Sequence, residues 1–233
     1  LNRIMSNLIV VNGCSYTEEA YLEPQDRWTN KCGISTNLAH GGGSNDRIFY
    51  TTIEHLNKHT IDTLIIGWTG VDRFMLPNAN GSRIIGTPIH TFDENLGGDY
   101  SDYSKFYYKH CHNRYGSLES TLNYMLHLQD YCKQKRIKLW YFNALLPDID
   151  DKSLENYSKD AFMSKETEDM TRMGIAFNKN KLLKLIDKLD KNIWIEKFWY
   201  SMKAHCKDFP LEEGGHPDVE GSEHWATLVK KYL

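Results

Sequence analysis

The sequence predicts an α/β fold in which a parallel β-sheet is covered by helices on both faces. Its strands are indicated by short apolar runs, at residues 7–12 (NLIVVN), 61–68 and 137–143, that are continuous instead of alternating with polar residues. Stretches with a helical spacing of apolar residues separate these runs. Because strands that alternate with helices usually pair in parallel, the order of the elements indicates the fold class.

The remaining elements follow from the same two patterns. A second short strand is expected at residues 34–39, and it leads through the glycines at 41–43 into a helical stretch that includes Ile48 and Leu56. A fifth strand is expected at residues 192–196 (NIWIE). The other expected helices lie at residues 118–136, 179–189 and about 221–232. We therefore expect a single domain over residues 1–233.

Residues 76–116 break this alternation, because they are rich in Asn, Gly, Tyr and His and show no period. A loop of this length in a compact domain is usually functional or disordered, and disordered segments are poor in aromatic residues. We therefore expect an aromatic-rich insertion that packs beside the functional site. The acidic and polar segment at residues 147–172 is either a second lid or a solvated connection.

Composition and charge exclude several classes of protein. The chain has 28 Lys and Arg against 31 Asp and Glu, so it offers no positive field to attract nucleic acid or an anionic membrane surface. Five widely spaced cysteines without a C-x-x-C pair indicate reduced thiols rather than a disulfide framework or a thiolate zinc site. The apolar run near the N-terminus reads as a buried strand and not as a secretory signal, so a cytoplasmic location is expected.

Two short segments at opposite ends of the chain offer a nucleophile and its base. Ser15 follows the first strand, in GCSYT, and ligands of open α/β sheets bind beyond the carboxyl ends of the strands. A serine nucleophile needs a neighbouring base, normally a histidine that a carboxylate orients. Glu213 and His216, in EGGHPD, offer that pair. The alternative is structural, with ordinary turn residues around Ser15 and a His216 that only precedes the last helix.

Two further segments offer donors for the negative charge that develops on an acyl oxygen. Backbone N–H groups at a glycine-rich turn, here residues 41–43, suit this task, and Thr69 is expected at the carboxyl end of the third strand. The glycine run lacks the spacing and the lysine of a phosphate-binding P-loop. Ser44 or Asn45 as the N-cap of the following helix is compatible with either role.

Taken together and in order, GCSYT, NLAHGGGSN, IIGWTGVDR and EGGHPDVEGSEHWA resemble the four sequence blocks of the SGNH hydrolases, the GDSL-like esterase family. The resemblance spans residues 13–226. It implies a three-layer α/β/α sandwich with a flavodoxin-like, mainly five-stranded parallel sheet. It also implies Ser15 as nucleophile, His216 as general base, and the backbone N–H groups of Ser15 and Gly42 as oxyanion donors.

The chain departs from the family pattern at two positions. Thr69 stands where the family usually has an asparagine whose side chain donates to the oxyanion, and Asn45 is an alternative donor. Glu213 stands where the family usually has an aspartate. The expected activity is the hydrolysis of a short O-acyl ester, such as an acetyl group on a carbohydrate, without a metal or an organic cofactor.

The expected partner is a small-molecule or glycan ester, and we expect Tyr16, Trp68 and Tyr107 to contact it. Nucleic acid and membranes are not expected partners. Three alternatives remain: a domain that binds glycan or protein without activity, Cys14 as the nucleophile, and a zinc site. Cys14 is disfavoured because its side chain should point away from that of Ser15, and zinc is disfavoured by the spacing of its candidate ligands. Those ligands lie in three clusters: His110-Cys111-His112, His205-Cys206, and His216, Asp218, Glu220, Glu223 and His224.

Overall fold

The structure is a computed structural model, and it describes residues 8–77, 83–86, 98–145, 179–196, 201–212 and 215–233. Its strands are β1 (Ile9–Asn12), β2 (Thr36–Asn37), β3 (Thr63–Trp68), β4 (Phe74–Pro77), β5 (Arg83–Gly86), β6 (Lys138–Asn143), β7 (Leu211–Glu212) and β8 (His216–Pro217). Its α-helices are α1 (Ser15–Glu18), α2 (Trp28–Lys31), α3 (Asn45–Lys58), α4 (Gly98–Phe106), α5 (Arg114–Lys135), α6 (Lys179–Asp187), α7 (Met202–His205) and α8 (Val219–Lys230).

The central sheet has the order β2-β1-β3-β6, and all of its pairings are parallel. This confirms the predicted α/β class. Because β1 and β3 are neighbours, with Asn12 opposite Ile66, the residues that follow them meet at one edge of the sheet. That edge is where ligands of open α/β sheets bind.

Within the described segments the sheet has four strands, and the predicted fifth strand at residues 192–196 is reduced to one parallel bridge between Trp194 and Tyr141. Residues 191–193 form a 3₁₀ turn instead, because the Asp190 carboxylate accepts the Asn192 N–H at 2.8 Å. Glu196 then adopts a left-handed conformation with φ 60°, which ends the extended stretch.

Two hydrophobic clusters cover the two faces of the sheet, which gives the three layers expected. Val10 and Leu64 pack with helices α3, α5 and α6 on one face, whereas Val11 and Ile65 pack with α2, α7 and α8 on the other. Successive side chains of a strand point to opposite faces, so a strand covered on both faces must be apolar throughout. This is why continuous apolar runs predicted the strands.

Polar caps extend two helices beyond their predicted starts. Helix α5 begins before residue 118 because the Asn113 side chain accepts the Gly116 N–H at 3.2 Å. Helix α8 begins before residue 221 because Asp218 accepts the Gly221 N–H at 2.9 Å. In the described segments, no helix has both the length and the apolar character needed to cross a lipid bilayer.

The predicted insertion at residues 76–116 contains regular structure where it is described. Strands β4 and β5 pair in an antiparallel ribbon, and helix α4 continues into a π-helix at Tyr107–Cys111.

The insertion contacts the loop after β3 through Asp72. Tyr108 donates to the Asp72 carbonyl, and Arg114 lies 2.9 Å from the Asp72 carboxylate. Burial opposes the charge of Asp72, but the hydrogen bond from His112 and the charge of Arg114 hold the pKa of that carboxyl below its ordinary value. Residues 147–172 lie outside the described segments.

Gly13 allows the chain to turn tightly at the end of β1. A Cβ at this position would lie 2.1 Å from Thr17 Oγ1 and 3.2 Å from the Gly67 carbonyl oxygen, so no larger residue fits without displacing a neighbour. We expect Gly13→Ala to lower the free energy of unfolding by about 1–3 kcal/mol, measured by urea denaturation.

Gly116→Ala is the matched control for Gly13→Ala. A Cβ at Gly116 would meet only Asn113 atoms, at 3.8 Å and beyond, and the residue lies in the first turn of α5. Alanine should therefore leave stability unchanged or raise it by up to about 1 kcal/mol. A Gly13→Ala protein as stable as the parent would contradict the close approach described above.

Candidate active site

Ser15 is the first residue of α1 and lies at the carboxyl edge of the sheet. The end of β1 is fixed before it, because Asn12 accepts the Gly13 N–H at 2.8 Å and its amide donates to the carbonyl of Ile48 in α3. The turn is then closed by the Thr17 N–H, which donates to the Cys14 carbonyl at 2.8 Å. Ser15 itself is half-buried, so its hydroxyl group is presented at a rigid and accessible position.

His216 reaches this serine from the other end of the chain. Its Nε2 atom lies 2.8 Å from Ser15 Oγ, within hydrogen-bond distance. The rings of Tyr16 and Tyr21 lie on the imidazole with centroid separations of 4.9 Å and 4.8 Å. The Tyr16 hydroxyl also donates to the carbonyl of Gly215 at 2.9 Å, which fixes the backbone before His216. Glu213 lies outside the described residues.

The glycine-rich loop packs against the turn that carries Ser15. The His40 N–H donates to the Gly13 carbonyl at 3.3 Å, and the Gly41 N–H donates to the carboxylate of Glu18 in α1. Gly42 has φ 71°, a left-handed conformation that favours glycine. The structure therefore brings the glycine-rich loop and the turn of Ser15 together.

Thr69 and Asn45 are joined to each other. Asn45 Oδ1 accepts the Thr69 N–H at 2.9 Å, and Asn45 Nδ2 donates to the Thr69 carbonyl at 2.9 Å and to Thr121 Oγ1 at 3.1 Å. Both amide hydrogens of Asn45 are therefore engaged, so the suggestion that Asn45 donates to an oxyanion is corrected to a bracing role. The Thr69 hydroxyl is buried and has no hydrogen-bond partner among the described residues.

Two predicted substrate contacts lie elsewhere than expected. Trp68 is fully buried and its ring packs on Tyr141 at 5.5 Å, because residue 68 falls on the face of β3 that α3 and α5 cover. Its expected contact with substrate is therefore wrong. Tyr107 stacks on Phe74 at 3.9 Å and lines a cavity whose described lining does not include Ser15. Cys14 is fully buried in the hydrophobic cluster that α2, α7 and α8 form with the sheet.

A family comparison covers most of the chain. The sequence model of a family of unknown function, DUF6071, matches residues 28–178, more than half of the protein. The chain belongs to this family. The matched DUF6071 segment contains Gly42, Asn45 and Thr69, but it begins after Ser15 and ends before His216. No protein of curated function matches the chain.

Several solved structures are similar to this DUF6071 protein at low identity. The psychrotrophic esterase EstA from Pseudoalteromonas sp. has 10% identity and a TM-score of 0.48 over 97% of this chain and 98% of that chain. A member of the lipolytic protein G-D-S-L family from Veillonella parvula DSM 2008 has 13% identity and a TM-score of 0.43 over 97% of each chain. The acetyl xylan esterase AlAXEase has 12% identity and a TM-score of 0.43 over 97% of this chain and 100% of that chain. Function is therefore inferred from the geometry of the site.

Sequence reasoning missed two residues of this DUF6071 site. Tyr21 is the second ring on His216, and only its nearness to Ser15 along the chain could have indicated it. Glu19 is fully buried, and its Oε2 atom accepts the Trp28 N–H at 2.7 Å and the Ser222 hydroxyl at 3.1 Å. Burial raises the pKa of Glu19 to about 8. This carboxyl connects the helix of Ser15 to α8, the helix that follows His216.

The candidate metal ligands of the DUF6071 protein remain apart in the described segments. No group of three His, Cys, Asp or Glu side chains there could hold a metal ion. His112 lies 3.1 Å from the Asp72 carboxylate, whereas the ring of His205 packs near that of Trp225 at 5.6 Å. All five cysteines are free thiols.

Proposed function

We propose that the protein is a serine hydrolase that cleaves short O-acyl esters. The observation that carries this proposal is the 2.8 Å contact between Ser15 Oγ and His216 Nε2 at the carboxyl edge of the sheet. A serine hydroxyl is a weak nucleophile until an adjacent base removes its proton, and this distance allows that transfer. The two rings that hold the imidazole support the same role, since a base must be oriented as well as close.

In the proposed reaction, His216 Nε2 takes the proton of Ser15 while Ser15 Oγ attacks the acyl carbonyl carbon. The imidazolium then gives that proton to the alcohol that leaves, and an acyl ester of Ser15 remains. In deacylation, water attacks the acyl carbon while His216 takes its proton. The imidazolium then gives that proton to Ser15 Oγ, and the free acid leaves. Glu213 is proposed to orient the imidazole and to stabilise its charged form.

The oxyanion of the tetrahedral intermediate needs donors that are already in place. We assign this role to the backbone N–H groups of Ser15 and Gly42 and to the hydroxyl of Thr69. The packing of the glycine-rich loop on Gly13 supports the first pair. The Thr69 hydroxyl supports the third donor, because a buried hydroxyl group without a partner is costly unless a ligand completes it.

The aromatic rings next to His216 indicate the substrate of the proposed hydrolase. Tyr16 is buried and its hydroxyl group donates to the Gly215 carbonyl, so it positions His216 instead of contacting substrate as expected. Tyr21 is half-buried beside the same imidazole, and an aromatic ring in that place suits the contact of a sugar. We therefore favour an acetyl or other short acyl group on a carbohydrate.

Free thiols are typical of a reducing compartment, which supports a cytoplasmic location.

Labelling with a fluorophosphonate, which reacts with activated serines, tests the proposal. We expect a mass increase on the peptide that contains Ser15, and no labelling of the Ser15→Ala protein, which should also lose turnover of 4-nitrophenyl acetate by at least about 10³-fold. Cys14→Ser is the matched control on the neighbouring residue, and it should keep its labelling. A folded parent protein that takes no label would overturn the assignment.

A second candidate is a domain that binds glycan without cleaving it. Both amide hydrogens of Asn45 are engaged, so this side chain cannot donate to an oxyanion and the Thr69 hydroxyl is left for that task. Fewer oxyanion donors favour a domain that binds without cleaving. The same experiment separates the two candidates. A binding domain would retain affinity for acetylated oligosaccharides but would show neither Ser15 labelling nor ester turnover.

A further inference from the structure

A polar cavity lies beside the glycine-rich loop, between the start of α3, the loop after β3 and the first turns of α5. Its volume is about 340 Å³, within the range of sites for small ligands. Asn45 and Asp46 line it directly after the loop, and Arg73, Phe74, Tyr107 and Tyr124 form other parts of its wall. The cavity is therefore adjacent to the proposed oxyanion site, and the insertion contributes part of its wall.

Arg73 is the charged group of this cavity whose donors are mostly unused. Its described polar contact is a long hydrogen bond of 3.4 Å from Nη1 to the carbonyl oxygen of Gly43. No carboxylate of the described segments forms an ion pair with it, whereas Arg114 nearby is paired with Asp72. A guanidinium carries five N–H donors, and its planar fork fits a carboxylate or a phosphate. Such a half-buried cation is well suited to an anionic ligand.

The position of Arg73 relates this cation to the reaction. Gly43 adjoins Gly42, so the guanidinium lies next to the proposed oxyanion donors. Burial raises the pKa of Tyr16 to about 12, and the positive charge of Arg73 acts on the same hydroxyl group in the opposite direction. The acidic group of the cavity, Asp46, accepts a hydrogen bond from Ser44 and acts instead on Tyr107 and Tyr124. The cavity therefore has a positive group beside the glycine-rich loop.

We propose that Arg73 binds an anionic group of the substrate, a carboxylate or a phosphate, and so determines specificity for charged esters. The inference rests on the proposed hydrolase function and narrows its substrate class. With the anion held by the guanidinium, the acyl carbonyl of the same molecule is placed at Ser15. A neutral ester lacks this contact and must rely on the weaker contacts of the site alone.

Two matched pairs of esters test this specificity. Charge on the acyl side is tested by 4-nitrophenyl hydrogen succinate against 4-nitrophenyl butyrate, and charge on the leaving group by 4-acetoxybenzoate against phenyl acetate. For at least one pair we expect the parent protein to prefer the charged ester in kcat/KM by about tenfold or more. Arg73→Gln should remove that preference, mainly through KM, and Arg73→Lys should restore part of it because the positive charge remains.

Lys109→Gln is the charge-matched control, because it removes one positive charge from an exposed position of the same insertion. It should keep the preference of the parent protein. An equal ratio of kcat/KM for charged and neutral esters in the parent and in Arg73→Gln, for both pairs, would overturn the proposal.

Direct binding separates this inference from the hydrolase proposal. In the Ser15→Ala protein, 4-acetoxybenzoate and a phenyl phosphate probe should raise the melting temperature, and the added Arg73→Gln change should abolish that shift. If Ser15 takes no phosphonate label, the hydrolase proposal fails, and this measurement still decides the anion site. Equal shifts with and without Arg73 would overturn it.

Discussion

His216→Ala should lower kcat for ester hydrolysis by about 10³- to 10⁶-fold, because the serine then has no base within reach. The Nε2 atom of His216 lies 2.8 Å from Ser15 Oγ, and no other imidazole is described at that hydroxyl. The variant should also react slowly with a fluorophosphonate, since the label reports the activated state of Ser15. Turnover of 4-nitrophenyl acetate and the rate of labelling measure the two effects.

The space left by the imidazole offers a sharper form of this test. The rings of Tyr16 and Tyr21 pack on His216, so the alanine variant should leave a cavity of imidazole size at the serine. We expect added imidazole to restore part of the lost turnover in His216→Ala and none in Ser15→Ala. A structural histidine would give no such rescue.

His59→Ala is the control for the removal of a histidine. His59 is exposed and caps the carboxyl end of α3, about 20 Å along the helix from the residues next to the glycine-rich loop. Its turnover should match that of the parent protein, and circular dichroism should show an intact fold in both variants. Near-normal turnover in a folded His216→Ala protein would overturn the assignment of the base.

The parts of the fold that the sequence predicted are those set by burial on both faces of the sheet. Val10 and Val11 are neighbours that enter different hydrophobic clusters, so both had to be apolar and the strand could be recognised. The predicted fifth strand is shortened to a single parallel bridge for a local reason. The apolar run at residues 192–196 has strand composition, but the Asn192 N–H donates to the Asp190 carboxylate. This hydrogen bond holds the first residues of the run in a 3₁₀ turn. Such a side-chain contact is not visible in an apolar pattern.

The residues of the candidate site also differ in whether the sequence could predict their positions. Ser15 and His216 could be predicted because the position after a buried strand and the need for a base are general requirements. Trp68 could not be excluded as a substrate contact, since the face of β3 that it occupies depends on where α3 and α5 pack. Asn45 has the chemistry of an oxyanion donor, and only its tertiary partners, Thr69 and Thr121, show that its amide is engaged.

Glu19→Gln should change the pH dependence of stability by a large amount. Burial raises the pKa of Glu19 from 4.5 to about 8, so the folded protein holds its proton where the unfolded chain releases it. The stability contributed by the protonated form is complete below pH 4.5 and declines as the pH rises to about 8. Above that pH the buried charge costs on the order of 3–5 kcal/mol relative to the neutral form.

Glutamine imitates the protonated carboxyl group and keeps an oxygen that can accept from Trp28 N–H and Ser222. The Glu19→Gln protein should therefore match the parent near pH 4.5 and exceed it in unfolding free energy by several kcal/mol above pH 8, measured by urea denaturation across that range. Glu54→Gln is the control, because Glu54 is exposed and forms a surface ion pair with Lys58 at 2.8 Å. Parallel pH profiles for the parent and Glu19→Gln would contradict a buried titrating carboxyl. A stabilised variant with reduced ester turnover would instead indicate that the carboxyl group of Glu19 helps to set the position of α1, and therefore of Ser15, relative to α8.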